Sequence, residues 1–320
     1  MNMPLPLRVT VLARHSEAQD IVGLELGDAG GAPLPPFSAG AHIDVQVRPG
    51  LTRQYSLCNA PSERHRYLIA VLRDPRSRGG SSAIHDSVQV GDSLQISAPR
   101  NHFPLVPAER YLLFAGGIGV TPILCMAERL AQLGATFTMH YCTRSPERTA
   151  FRERIARSGF AGQVRFHVDA GPVEAKLDID ATLRAATPDT HLYVCGPAGF
   201  IEAVTGAAGR QGWAGERIHV EHFGAAPAPG GGAAPFVVKI ASTGQVCNVG
   251  PGQSVTRVLE EQGIVIPVSC EQGVCGTCVT RVLQGVIEHR DQYFTDEERA
   301  LNEQFTPCCS RGQGMLVLDL

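Results

Sequence analysis

Apolar and polar positions change rhythm along the 320 residues. Before about residue 104, short β-rich runs recur at Leu7–Leu12, Ile21–Leu26, His42–Val47, Tyr67–Leu72 and Ser93–Ile96. Breakers such as Pro33, Pro35-Pro36, Pro49-Gly50 and Gly91-Asp92 separate them. Short strands punctuated by turn residues predict an antiparallel barrel. From Tyr111 the texture differs. Leu112–Ala115 is a short apolar strand that runs into Gly116-Gly117-Ile118-Gly119. Ile123, Leu124, Ala127, Leu130 and Ala131 then follow at helical spacing, with Thr121 expected as N-cap, Pro122 as first helical residue and Gly134 as the stop. Strands are expected at Phe137–Tyr141 and His191–Val194, and a helix near Phe200–Ala208. Strand alternating with helix implies a parallel sheet. Near the end, Met315–Leu320 is strand-like again.

Ala225-Ala226-Pro227-Ala228-Pro229-Gly230-Gly231-Gly232-Ala233-Ala234 has no large apolar residue and cannot join a core. It reads as a linker. The expected division is a barrel over 1–106, an α/β domain over 107–224, a linker over 225–234 and a last domain over 235–320. Hydrophobic residues make up 43% and charged residues 18%, a globular composition. A net charge of −3 without any basic cluster gives nucleic acid nothing to hold. The acidity is local: residues 236–320 carry 6 Lys+Arg against 10 Asp+Glu. No secretory signal or bilayer-length apolar run is present in the sequence, so a soluble, cytoplasmic protein is expected.

The ten cysteines fall into two groups. Cys58, Cys125, Cys142, Cys195 and Cys247 are scattered, and all but Cys195 read as small buried hydrophobes. Cys270-x4-Cys275-x2-Cys278 with Cys308 thirty residues later has the spacing of plant-type [2Fe–2S] ligands. Gly273 and Gly276 would let that loop wrap tightly. Zinc is the rival, but it favours paired Cys-x2-Cys spacings, which are missing. Arg53-Gln54-Tyr55-Ser56-Leu57 offers a phosphate grip followed by an aromatic ring and a small hydroxyl, although an amphipathic edge strand explains it equally well. Arg78-Gly79-Gly80-Ser81-Ser82 reads as a phosphate nest or as a plain turn. Gly116–Pro122 and Cys195-Gly196-Pro197 are strand-to-helix turns where open α/β sheets bind ligands, or tight turns and no more.

In this order these motifs resemble the phthalate dioxygenase reductase family over essentially the whole chain. The ending is similar too: His289-Arg290-Asp291, Thr295-Asp296-Glu297-Glu298, then Cys308-Cys309-Ser310-Arg311. The resemblance implies a flavin barrel, a nicotinamide domain and a C-terminal β-grasp ferredoxin domain. It implies FMN held by Arg53, Gln54, Tyr55, Ser56, Ala70, Val71, Leu72, Arg78, Gly79, Gly80, Ser81, Ser82, Thr121 and Phe223. NADH would lie on Gly116, Gly117, Gly119, Pro122, Thr143, Arg144, Cys195, Gly196 and Pro197, and the cluster on Cys270, Cys275, Cys278 and Cys308. Arg144 and Arg148 also suit a 2′-phosphate, so NADPH stays open as donor. Cys309 would be filler. The implied activity is hydride uptake from NADH and delivery of single electrons to a Rieske-type oxygenase, met transiently through the acidic end, with no membrane or nucleic-acid partner. A stand-alone flavin or ferric reductase and a non-enzymatic redox sensor are the alternatives. Trp213 and most Phe residues are expected in the core, and the histidines at the surface or as caps.

Overall fold

The structure, a computed structural model, describes residues 7–75, 77, 79–172, 175–223, 234–268, 270–271 and 273–320. Arg78 and residues 225–233 of the expected linker lie outside the described residues. The chain forms two compact units, Met1–Phe223 and Gly224–Leu320.

The first half of the first unit is antiparallel. Its strands are β1 (Leu7–Ala18), β2 (Ile21–Gly27), β3 (Ala41–Arg48), β4 (Leu51–Ser56), β5 (Tyr67–Leu72), β6 (Ser93–Ile96) and β7 (Arg100–Asn101), with α1 (Gly80–Ser87) after β5. They pair in the order β4-β3-β6-β1-β2-β5, with β7 beside β3. The end strands β4 and β5 lie against each other, so the sheet closes as a barrel and its edges are protected. Inward residues of alternate register, among them Val9, Val11, Leu24, Leu26, Ile43, Val45 and Ile69, fill it. β1 runs six residues past the expected Leu12, because register shifts at Val11/Ala13 and Ser16/Ala18 break its period-two pattern.

The second half holds a parallel sheet. It comprises β8 (Arg110–Gly116), α2 (Val120–Leu133), β9 (Thr136–Thr143), α3 (Arg152–Ala156), β10 (Val164–Val168), α4 (Ile179–Arg184), β11 (Thr190–Cys195), α5 (Ala198–Arg210) and β12 (Ile218–Glu221). The strand order is β10-β9-β8-β11-β12, so the chain reverses its direction of winding between β8 and β11. β8 is buried from Tyr111 to Gly116 because helices cover both faces. Helix α2 starts earlier than expected. A 3₁₀ turn, Gly117–Gly119, feeds directly into Val120, and Gly119 takes the N-cap place. Thr121 is therefore the second helical residue, and its hydroxyl donates to the Ile118 carbonyl (3.1 Å). Pro122 is third, still in the turn whose N–H groups lack intrahelical partners. Gly134 ends the helix with φ 66°, as expected.

Within this unit the two halves share one apolar cluster, running from Cys58, Leu68 and Ala70 to Leu124, Met126 and Tyr193. The β1–β2 hairpin is stapled to the loop after β9. Gln19 N–H donates to the Glu147 carbonyl (2.8 Å), and Arg148 pairs with Asp20 (3.0 Å). The expectation that the histidines are surface or capping groups fails for His42 and His140, which are buried, and four histidines pair off. His140 with His167 and His191 with His219 form stacked pairs across neighbouring strands, with ring nitrogens 3.0 and 2.9 Å apart.

The second unit contains β13 (Phe236–Ile240), β14 (Val246–Val249), α6 (Val255–Glu261), β15 (Thr280–Glu288), α7 (Asp296–Leu301), β16 (Gln304–Phe305) and β17 (Arg311–Leu318). Its mixed sheet has the order β14-β13-β17-β15-β16, with β13 and β17 parallel, in a β-grasp arrangement. Val238, Ile240, Val249, Leu259, Phe305, Leu316 and Leu318 form its core. Thr295 and Glu298 form a reciprocal cap at the start of α7. Buried Arg311 stacks on Phe236 and donates to the carbonyls of Gln253, Ala234 and Gly250. Among the described residues no helix is long and apolar enough to cross a membrane.

Candidate cofactor sites

The barrel motif and the glycine loop meet. Alternation on β4 puts Arg53 and Tyr55 on one face and Gln54 and Ser56 on the other. Helix α1 packs against β3, β4 and β5. A β-carbon on Gly80 would lie 2.6 Å from Arg53 Cγ, so only glycine lets the guanidinium stem pass under the helix start. Gly79 at the N-cap has φ 91° and offers no side-chain cap, and while Ser77 Oγ accepts from Ser82 N–H (3.5 Å), the N–H groups of Gly80 and Ser81 open the helix toward an anion. A β-carbon on Gly79 would be 3.1 Å from Arg48 Nη2, placing a second guanidinium beside the loop that the sequence reading missed. Ser77 Oγ accepts from Gly79 N–H (3.1 Å), and Ser81 Oγ accepts from Asp74 N–H (3.2 Å). Ser82 is the third residue of α1. Ala70, Val71 and Leu72 end β5, and His85 of α1 reaches the Val71 carbonyl at 2.9 Å. Two arginines, a bare helix start and a glycine cradle fit a terminal phosphate such as that of FMN.

The two glycine turns interlock at the carboxyl ends of β8 and β11, the adjacent strands at which winding reverses, where open α/β sheets bind nucleotides. A β-carbon on Gly119 would strike the Cys195 carbonyl. One on Gly196 would lie 2.9 Å from Gly116 Cα, and one on Gly116 would lie 3.0 Å from Pro197 Cδ. Gly117 has φ 53°. The 3₁₀ turn also lies against β5, so the glycine turn and the barrel strand are neighbours. Thr143 is brought to the same sheet end, but its hydroxyl faces Thr149 Oγ1 (2.8 Å). Arg144 is exposed, while Arg148 is engaged by Asp20.

Glu221 is the acid that sequence reading overlooked. It ends β12 in register with Cys195 and takes a hydrogen bond from Ser56 of the barrel motif. Its Oε2 is buried with no partner among the described residues. Burial pushes its carboxyl up to about 8, against the lowering pull of Ser56. Burial, with Glu221 adding to it, also holds the Cys195 thiol well above its ordinary value. The available signal was its place two residues before Phe223, which is 39% exposed.

In the second unit Cys270, Cys275, Cys278 and Cys308 are all buried. The Cys270 thiol is within hydrogen-bonding reach of Cys275, and Cys308 of Cys270 and Cys278. Among the described residues no group of three or more His, Cys, Asp or Glu is arranged around a single ion. Cys309 is linked to Cys308 as well, so five thiols cluster here, and the four with plant-type spacing match a binuclear cluster in donor type. Gly273 and Gly276 have φ 71° and 69°, and side chains there would collide with Asp291 and Cys309 or with the Tyr293 ring. Cys308 and Cys309 occupy a turn between β16 and β17, not extended backbone, with Cys309 N–H bonded to the Thr306 carbonyl (3.1 Å). Cys309 Sγ lies 3.2 Å from Thr306 Oγ1.

Residues 238–312 match the 2Fe-2S iron-sulfur cluster binding domain family. The chain is 54% identical over 316 residues to the vanillate O-demethylase oxidoreductase of Pseudomonas sp. strain HR199, covering 98% of this chain and 100% of that one. It is 39% identical to the phthalate dioxygenase reductase of Burkholderia cepacia, covering 98% and 97%. A solved phthalate dioxygenase reductase, described as a modular structure for electron transfer from pyridine nucleotides to [2Fe-2S], superposes with a TM-score of 0.80 at 39% identity and covers 98% of both chains.

Proposed function

The chain belongs to the phthalate dioxygenase reductase family, oxidoreductases that serve oxygenases, and we propose that it carries electrons from NADH to a Rieske-type terminal oxygenase. The carrying observation is that one chain holds an arginine-backed glycine loop, interlocked turns at a sheet's winding reversal, and a linked set of thiols that includes Cys270, Cys275, Cys278 and Cys308. FMN accepts two electrons together and releases them singly, the chemistry needed between NADH and a one-electron [2Fe–2S] cluster.

The protein's own residues bind and orient. Arg53 and the start of α1 hold the flavin phosphate, with Arg48 beside them. Tyr55 lines the same face of β4 as Arg53, and Thr121 and Phe223 would serve the ring end of the flavin. Gly116, Gly117, Gly119, Gly196 and Pro197 let the nicotinamide approach without side chains intervening. Ser56 and Glu221 form a hydrogen-bonded pair beside Cys195, on the β12 side of its turn. Cys270, Cys275, Cys278 and Cys308 hold the cluster. The acidic second unit meets its partner briefly through charge, which speeds encounter without tight binding.

Stopped-flow mixing of the NADH-reduced protein with a purified Rieske oxygenase, vanillate O-demethylase oxygenase as the probe, checks this. The expected result is a reduction rate that falls steeply as salt is raised. A rate indifferent to ionic strength removes the charge-guided encounter. Failure to reduce any Rieske centre while ferricyanide is reduced rapidly favours a stand-alone reductase.

A further inference from the structure

The His289-Arg290-Asp291 motif belongs neither to the nucleotide turns nor to the four thiols. The Asp291 side chain nevertheless has no solvent exposure. Its carboxylate accepts four hydrogen bonds. Oδ1 receives them from His289 Nδ1–H (2.9 Å) and the Ser310 hydroxyl (2.9 Å), and Oδ2 from the backbone N–H groups of Tyr293 (3.2 Å) and Phe294 (3.0 Å). Donors on every side favour the ionised form.

This carboxylate stands directly behind the thiol loop. Asp291 Cα and Cβ would each be 2.9 Å from a β-carbon on Gly273, the residue between Cys270 and Cys275. The next residue, Gln292, donates its N–H to the Gly273 carbonyl (2.9 Å). Ser310, which donates to Asp291, is two residues beyond Cys308. Asp291 thus touches both segments that carry the thiols. Arg290 turns to Glu288 (2.8 Å from Nε), and Arg299 bonds the Asp291 carbonyl rather than its carboxylate (2.7 Å). Among the described residues no guanidinium bonds the carboxylate, so its charge is not cancelled by an arginine.

The reduction potential of an iron–sulfur cluster depends on nearby charge and hydrogen bonding. In a dry setting a fixed charge acts strongly. We propose that Asp291 is a potential-setting residue: a fixed negative charge packed against Gly273 that makes the cluster harder to reduce. The inference rests on the thiol assignment above. Wild-type protein that takes up no cluster would break that assignment, whereas the variants below test Asp291 alone.

The measurement is a mediated redox titration of full-length, cluster-loaded protein, followed by EPR. Asp291→Asn keeps the shape, and His289 and Ser310 can each switch from donor to acceptor. Its reduced-to-oxidised ratio at fixed poise should rise about tenfold, equivalent to ~59 mV for a one-electron couple. Asp291→Glu keeps the charge and disturbs the packing, and should stay near wild type. An unchanged potential in Asp291→Asn with an intact signal overturns the proposal, as does an equal shift in Asp291→Glu. If Asp291→Asn loses the cluster, His289→Phe decides. Removing that donor concentrates the carboxylate's charge, so the reduced fraction should fall. An unchanged or higher fraction overturns the proposal.

Discussion

Cys308 and Cys309 are adjacent but serve different neighbours. Both thiols touch each other, but Cys308 also reaches Cys270 and Cys278, whereas Cys309 sits over Gly273 and against the Thr306 hydroxyl. Cys308→Ser should therefore bleach the visible cluster spectrum while NADH-to-ferricyanide activity survives. Cys309→Ala should keep iron content and the EPR signal, at a stability cost of about 1 kcal/mol. An intact cluster in the first variant and an empty site in the second would reverse the assignment. Glu221 gives a pH signature. Burial pushes its folded carboxyl up to about 8, from an ordinary 4.5. The folded state thus holds its proton more tightly, and this contribution to stability is full below about 4.5 and is lost as pH rises through 8. Each unit of difference corresponds to about 1.4 kcal/mol. Thermal melts of wild type and Glu221→Gln should diverge from pH 5 to 8, with the variant gaining. A constant gap across that range would show that Glu221 titrates normally. At this scale the thiol spacing and the glycine positions were legible because they are local. Glu221 and Asp291 were not, since their environments come from residues far away in sequence, such as Ser56 for the one and Gly273 for the other.

Strands were legible where one rhythm was kept. Tyr67–Leu72 and Ser93–Ile96 coincide with β5 and β6. The outer strands of the parallel sheet, β10 and β12, gave no apolar run because edge positions are half wet: β10 exposes Arg165 and Phe166, and all four residues of β12 are only partly buried. Helices α3 and α4 are five and six residues long, too short for a periodic signal. The start of α2 was misplaced because Thr-Pro is a familiar opening, while the actual opening is set by tertiary contact: Gly119 must stay bare beneath the Cys195 carbonyl. The Cys308–Cys309 pair sits in a turn closed by Thr306, which no apolar rhythm announces.

For the whole molecule, two separate units imply separable activities. A fragment from Ala234 to Leu320 should fold and bind a cluster, its core and the Arg311 tether to Ala234 being internal. A fragment from Met1 to Gly224 should oxidise NADH with ferricyanide, since barrel and α/β half share a core. Anaerobic iron uptake and steady-state assays measure both; a short fragment that never takes up iron would place the boundary wrongly. The parallel pairing of β13 with β17, Val237 beside Met315, bears on how the chain is made. The first unit is complete when residue 223 leaves the ribosome, but the last unit cannot close its sheet until the final strand has been translated. At about 5–20 residues per second, its opening strand and then its thiol loop wait in a nascent chain for several seconds. Metal insertion therefore belongs to the period after β17 has been made, and oxygen or a competing thiophilic ion has its best access to these cysteines before then.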